Sequence, residues 1–125
     1  MKCFFYSHHF ESPHQRGPGV VSFVIPELSI TFRARYMGTE LECYYAALLA
    51  LLEFADLNPQ LFKEKILQVF SDNSTLVSQM KGQLLCGKEL EPLLNMALAY
   101  KKKVPYSLAW VSPHDNPAMD PSLLE

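Results

Sequence analysis

The sequence predicts one α/β domain over residues 1–125, built on a mixed five-stranded sheet with elements in the order β-β-β-α-β-α-α-β. Three observations lead there. The first third of the chain has the two-residue apolar alternation and turn punctuation of successive strands. From Thr39 the pattern changes to a long, almost continuous apolar stretch of helical length. Strands then recur between helices, so crossover connections must make some of them parallel.

Lys2 to Ser7 is aromatic and compact, as a buried strand is, and Ser12-Pro13 with Gly17-Pro18-Gly19 supplies the turn residues of a hairpin loop. Val20 to Ile25 reads as a second strand, punctuated by Pro26-Glu27; in a third, Ser29, Thr31, Arg33 and Arg35 alternate with Ile30, Phe32 and Ala34. Thr39 suits an N-cap, Glu40 and Glu42 suit the positive end of a helix dipole, and the apolar stretch runs on to Ala55 before Asn58-Pro59 ends it. A helix apolar almost all round must be covered on more than one side. Lys65 to Ser71 reads as a strand, with Asp72-Asn73-Ser74 placed to cap a short helix through Met80. Past Gly87, Leu90, Leu93, Leu94, Ala97 and Leu98 recur at helical spacing, and Lys101-Lys102-Lys103 complement the dipole at that helix's end. Val104 to Val111 is the last strand, and Ser112 to Glu125 is a polar, proline-rich tail.

Composition narrows the function classes. Hydrophobic residues make up 49% and charged residues 19% of the chain, which excludes a disordered segment. The longest apolar run, Tyr44 to Leu52, is far short of the roughly twenty residues of a membrane span, and the N-terminus lacks a secretory pattern, so a cytoplasmic chain is expected. Cys3, Cys43 and Cys86 are odd in number and widely spaced, which predicts reduced thiols rather than a disulfide framework or zinc site. A net charge of −2 gives no overall pull toward nucleic acid, so any phosphate-binding surface must be local. Lys101, Lys102 and Lys103 form one candidate patch, and Arg33 and Arg35, on one face of their strand, form another.

Four segments, taken in order, resemble the ribonuclease H family. Phe5-Tyr6-Ser7-His8-His9 with Gly17-Pro18-Gly19 resembles its first strand and glycine-rich turn, and Glu42 through Ala55 its first helix. Phe70-Ser71-Asp72-Asn73-Ser74 resembles its strand-ending Thr/Ser-Asp-Ser motif. Trp110-Val111-Ser112-Pro113-His114 with Asn116-Pro117-Ala118-Met119-Asp120 resembles its final strand and Asn-x-x-Ala-Asp segment.

The resemblance implies hydrolysis of RNA–DNA hybrids by clustered carboxylates holding two magnesium ions, hard cations that demand oxygen ligands. Asp72 and Asp120 match two of the four family carboxylates. His8 stands where the first-strand aspartate belongs, and Cys43 falls on the helix glutamate when the alanines are matched; a shift of one residue brings Glu42 there instead. A neutral imidazole cannot bridge two magnesium ions and a thiol is too soft. The expectation is therefore a ribonuclease H-like domain without ordinary two-metal hydrolysis, acting as a binding module for nucleic acid or for a protein partner, a second copy included. The alternative is a divergent nuclease on RNA–DNA hybrids, with Asp72, Asp120 and Glu42 as catalytic carboxylates, His8 as a further ligand, and magnesium or manganese as cofactor. Two further readings of these residues stand beside it: a zinc or manganese site of His8, Asp72 and Asp120 with His9 or His114, or aspartates that only cap strand ends. Pro117 and Pro121 flank Asp120 and disfavour a regular C-terminal helix there.

Overall fold

The computed structural model describes residues 1–62 and 66–119. Strands β1 (Lys2–His9), β2 (Gly17–Ile25) and β3 (Ile30–Gly38) form an antiparallel meander, and β4 (Leu67–Ser71) and β5 (Tyr106–Trp110) extend it in parallel, giving the order β3-β2-β1-β4-β5. Among the described residues three α-helices pack with the sheet: α1 (Glu40–Leu57), α2 (Ser74–Met80) and α3 (Glu91–Ala99). The expected five-stranded architecture and element order are found. Among the described residues no helix is long and apolar enough to cross a membrane.

The core lies between one sheet face and α1. Cys3, Phe5 and Ser7 of β1, Val21, Phe23 and Ile25 of β2, and Leu67 and Val69 of β4 are buried, each set at the two-residue spacing of one strand face. On the helix, Cys43, Tyr45, Ala47, Leu48, Leu51 and Leu52 are fully buried, because α1 packs on β1 and β2 and also on α3. Gly19 shows how close the contact is: a Cβ there would lie 2.9 Å from Cys43 Sγ, so only glycine lets the helix settle onto β2 at this point.

The start of α1 is pinned by a reciprocal capping box: Glu42 N–H donates to Thr39 Oγ1 at 3.3 Å, and Thr39 N–H donates to Glu42 Oε1 at 2.8 Å. The Asp72-Asn73-Ser74 segment caps α2, as expected. Asn73, not Asp72, is its N-cap, accepting from Leu76 N–H at 2.9 Å, so the Asp72 carboxylate remains available for other contacts. The fourth strand starts at Leu67; Lys65, where it was expected to begin, lies outside the described residues, as does Asp120.

Candidate functional site at the ends of β1, β4 and β5

In parallel strands, functional groups collect beyond the carboxyl ends. Phe5 pairs with Ser71, and Ser71 with Trp110, so the chain beyond β4 emerges level with Tyr6 on one side and with the last residue of β5 on the other. Asp72 is the first residue past β4. Its Oδ1 accepts from Tyr44 Oη at 3.0 Å, and the Tyr6 ring stands edge-on to Tyr44 with centroids 6.0 Å apart and planes at 84°. The Asp72 carbonyl accepts from Trp110 Nε1–H at 3.2 Å, which fixes an indole that is 53% exposed. Asn116, 3% exposed, closes the cluster: its Nδ2 donates to the Phe5 carbonyl and its Oδ1 accepts from Ala118 N–H, both at 3.0 Å.

Electrostatics follow from this packing. Burial pushes the Asp72 carboxyl above its ordinary range; hydrogen bonds from Tyr44 and Asn116 oppose the shift, and the Glu40 charge adds to it. Burial, and then the Asp72 charge, push the Tyr44 and Tyr6 hydroxyls up, so both stay neutral phenols. The cluster therefore offers one carboxylate surrounded by neutral donors.

A raised folded-state pKa means that an ionised Asp72 costs stability, a cost that appears as pH rises through the carboxylate range. Asp72→Asn is accordingly expected to melt at a higher temperature than wild type at pH 7. Thermal unfolding from pH 7 down to pH 3 checks this, since the advantage should shrink as wild-type Asp72 becomes protonated; a constant difference would show that ionisation is not its source.

No family model and no curated protein matches the chain. Solved structures do. The chain is similar to LC11-RNase H1 in complex with an RNA/DNA hybrid, at TM-score 0.75 and 18% identity over 93% of this chain and 88% of that one. It is also similar to the N-terminal RNase H domain of Rv2228c from Mycobacterium tuberculosis, at TM-score 0.70 and 20% identity over 92% and 85%. RNase H1 from the halophilic archaeon Halobacterium salinarum NRC-1 gives TM-score 0.68 and 20% identity over 90% and 86%. The chain has the ribonuclease H fold.

Within this ribonuclease H-like fold, the β1 residue beside Asp72 is Tyr6, and His8 lies two positions further along the strand, edge-on to Phe10 at 4.6 Å. On α1 the residue that touches Asp72 is Tyr44. Cys43, one residue and about 100° earlier, points into the core against Gly19. Glu42 is held by the capping box and by Arg16, whose Nη1 lies 2.6 Å from Glu42 Oε1. Burial works against its charge, yet the hydrogen bonds from Thr39 and Arg16 prevail and hold its pKa below the ordinary value. His9 bridges backbone, with Nδ1 3.1 Å from the Glu11 carbonyl and Nε2 2.8 Å from that of Gly38. His114 lies in a short turn, Pro113–Asp115.

The alternative zinc or manganese cluster and the magnesium pair both require several anionic or imidazole ligands together, and among the described residues, which do not include Asp120, no three of His, Cys, Asp and Glu converge. The described surroundings of Asp72 thus do not fit a pair of hard cations. The basic candidates lie elsewhere. Arg33 and Arg35 are exposed on β3, three strands and roughly 14 Å across the sheet from β4. Lys101, Lys102 and Lys103 precede β5, at the opposite end of the sheet from Asp72.

Tyr6, Tyr44, Asn116 and Trp110 carry no local motif that marks them as site residues. Trp110 is half exposed because it ends an edge strand. The one signal that reveals the tyrosines is register: Tyr6 is brought level with Asp72 by parallel pairing, and Tyr44 by its place one turn past the capping box.

Proposed function

We propose that this ribonuclease H-like domain does not carry out two-metal hydrolysis and acts instead as a nucleic-acid-binding module. The observation that carries the reading is the Tyr44 Oη to Asp72 Oδ1 hydrogen bond of 3.0 Å, with the Tyr6 ring packed edge-on beside it. The family's chemistry rests on carboxylates from the first strand and first helix converging on this aspartate, and here the groups that reach it from those two elements are neutral phenols. A neutral phenol brings no negative charge to a hard cation, and its ring fills the space that coordinating oxygens would need.

Nucleic acid is the favoured ligand on two grounds. One similar solved structure is of an RNase H1 in complex with an RNA/DNA hybrid. In addition, the end of the sheet presents an indole whose orientation is fixed by its bond to the Asp72 carbonyl, and aromatic faces stack on bases at about 1–3 kcal/mol each. Because Trp110 is the single tryptophan of the chain, its fluorescence reports on this site directly. Titration with a short RNA/DNA hybrid in the presence of a chelator is expected to quench that emission, with an affinity that falls as salt rises and falls further in Arg33→Glu and Arg35→Glu variants. An emission unchanged by about 100 µM hybrid at low salt would refute nucleic-acid binding at this end of the sheet.

A further inference from the structure

Beside the Asp72 cluster lies a cavity of about 470 Å³, a volume within the range of small-molecule sites. Glu40, one turn before Tyr44 on α1, and Asn73, the residue after Asp72, both line it. Thr75 and Gln79, four residues apart on one face of α2, form another wall. Pro13, Leu41 and Leu90 supply apolar surface, and Glu89 of the connector before α3 adds a second carboxylate.

The decisive group is Gln79. The residue is only 7% exposed, and its Oε1 accepts from Tyr45 Oη at 2.8 Å, which fixes the amide. Among the described residues its Nε2 has no hydrogen-bond partner, and the one side-chain polar atom sealed away without a partner is Ser7 Oγ, so the Gln79 nitrogen is open to the cavity it lines. A donor in so buried a side chain calls for an acceptor. Asn73 repeats the pattern: its Oδ1 is taken by Leu76 N–H, which leaves the amide hydrogens unused. The Glu40 and Glu89 carboxylates are acceptors, and neither has an ion pair among the described residues.

We propose that this cavity holds one unpaired guanine base of a bound nucleic acid. The Watson–Crick edge of guanine carries two adjacent donors, the N1 and N2 hydrogens, which one carboxylate accepts together, and next to them the O6 acceptor, which suits an amide nitrogen. Glu40 takes the two donors, because it is half-buried and held on a helix, and Gln79 Nε2 donates to O6. The apolar residues cover the ring faces, as in sites that read an extruded base.

Other ligands answer only half of the lining. A phosphate or carboxylate would meet Glu40 and Glu89 with like charge. A lysine or arginine side chain would pair with the carboxylates and leave the Gln79 donor unanswered. Adenine and cytosine present one amino donor in place of two adjacent ones, and uracil presents a single N–H. The inference rests on the nucleic-acid reading for the source of the base, but the cavity is testable without the hybrid.

The test is titration of the isotope-labelled full chain with guanosine, inosine and adenosine monophosphates, followed by NMR at the Gln79 side-chain amide, in about 0.15 M salt to screen the phosphates. Guanosine monophosphate is expected to shift that signal with a dissociation constant of about 1 mM, as suits one base. Inosine monophosphate, which lacks the 2-amino group, should bind at least fivefold more weakly, and adenosine monophosphate should give no saturable shift up to about 20 mM. Glu40→Gln should weaken guanosine monophosphate at least tenfold, while the rest of its spectrum verifies that the variant is folded. Equal responses to the three nucleotides, a Gln79 signal unmoved by guanosine monophosphate, or a Glu40→Gln chain that binds it like wild type would overturn the inference. The hybrid titration read at Trp110 judges the nucleic-acid reading separately, so a chain that binds the hybrid and shows no guanine preference loses the guanine pocket alone.

Discussion

Tyr44→Glu is expected to lower the melting temperature in the presence of a chelator, and millimolar manganese or magnesium should return part of the loss, while wild type responds to neither ion. Tyr44 is 6% exposed and bonded to Asp72, with Glu40 near enough to perturb the same carboxyl. A glutamate in its place adds a buried negative charge next to Asp72 and forfeits the edge contact with Tyr6, at a cost of about 3 kcal/mol or more. A divalent ion drawn to the new carboxylate pair would stabilise only the folded state, by about 1.4 kcal/mol at ten times its dissociation constant. Differential scanning fluorimetry with and without metal reads both effects. A variant indifferent to metal would show that position 44 does not face a latent cation site, and a wild type stabilised by the ions would show that a site exists already.

Asn116→Ala should destabilise the fold by about 2–4 kcal/mol. The side chain is buried and satisfies two backbone groups at once, the Phe5 carbonyl of the central strand and the Ala118 amide. Removing it leaves both buried and unpaired, each at about 1–3 kcal/mol. The Ala118 carbonyl also accepts from Ser22 Oγ at 3.2 Å, which ties the segment after β5 to β2 as well. Denaturant unfolding gives the magnitude, and hydrogen exchange at residues 112–119 should quicken before the sheet opens. A loss below about 1 kcal/mol would mean that water replaces both bonds.

The fold was legible because its signals are redundant. Alternation in the first three strands, the Thr39 cap, the apolar run of α1 and its closure at Asn58-Pro59 each point to the same architecture, and a slip of one residue in any of them leaves the fold unchanged. The site has no such redundancy. Choosing between His8 and Tyr6 on β1 requires the pairing of Phe5 with Ser71, a long-range fact that no local motif contains. Both residues lie on the same strand face, so alternation cannot separate them. On α1 the choice among Glu42, Cys43 and Tyr44 turns on steps of about 100° around the helix. The capping box decides it, because a Glu42 bonded to Thr39 and Arg16 cannot also reach Asp72, and the next residue points into the core. Asp72 and Asn73 were equally good caps on paper, and only the structure shows that Asn73 does the capping.

The proposed loss of two-metal hydrolysis stands on the hydrogen bond from Tyr44 Oη to Asp72 Oδ1. The most direct test is cleavage of an RNA/DNA hybrid by the purified wild-type chain in magnesium and in manganese, run in parallel with Asp72→Asn. The prediction is no cleavage above that of the Asp72→Asn control with either ion. Metal-dependent cleavage by wild type that disappears in Asp72→Asn would contradict it.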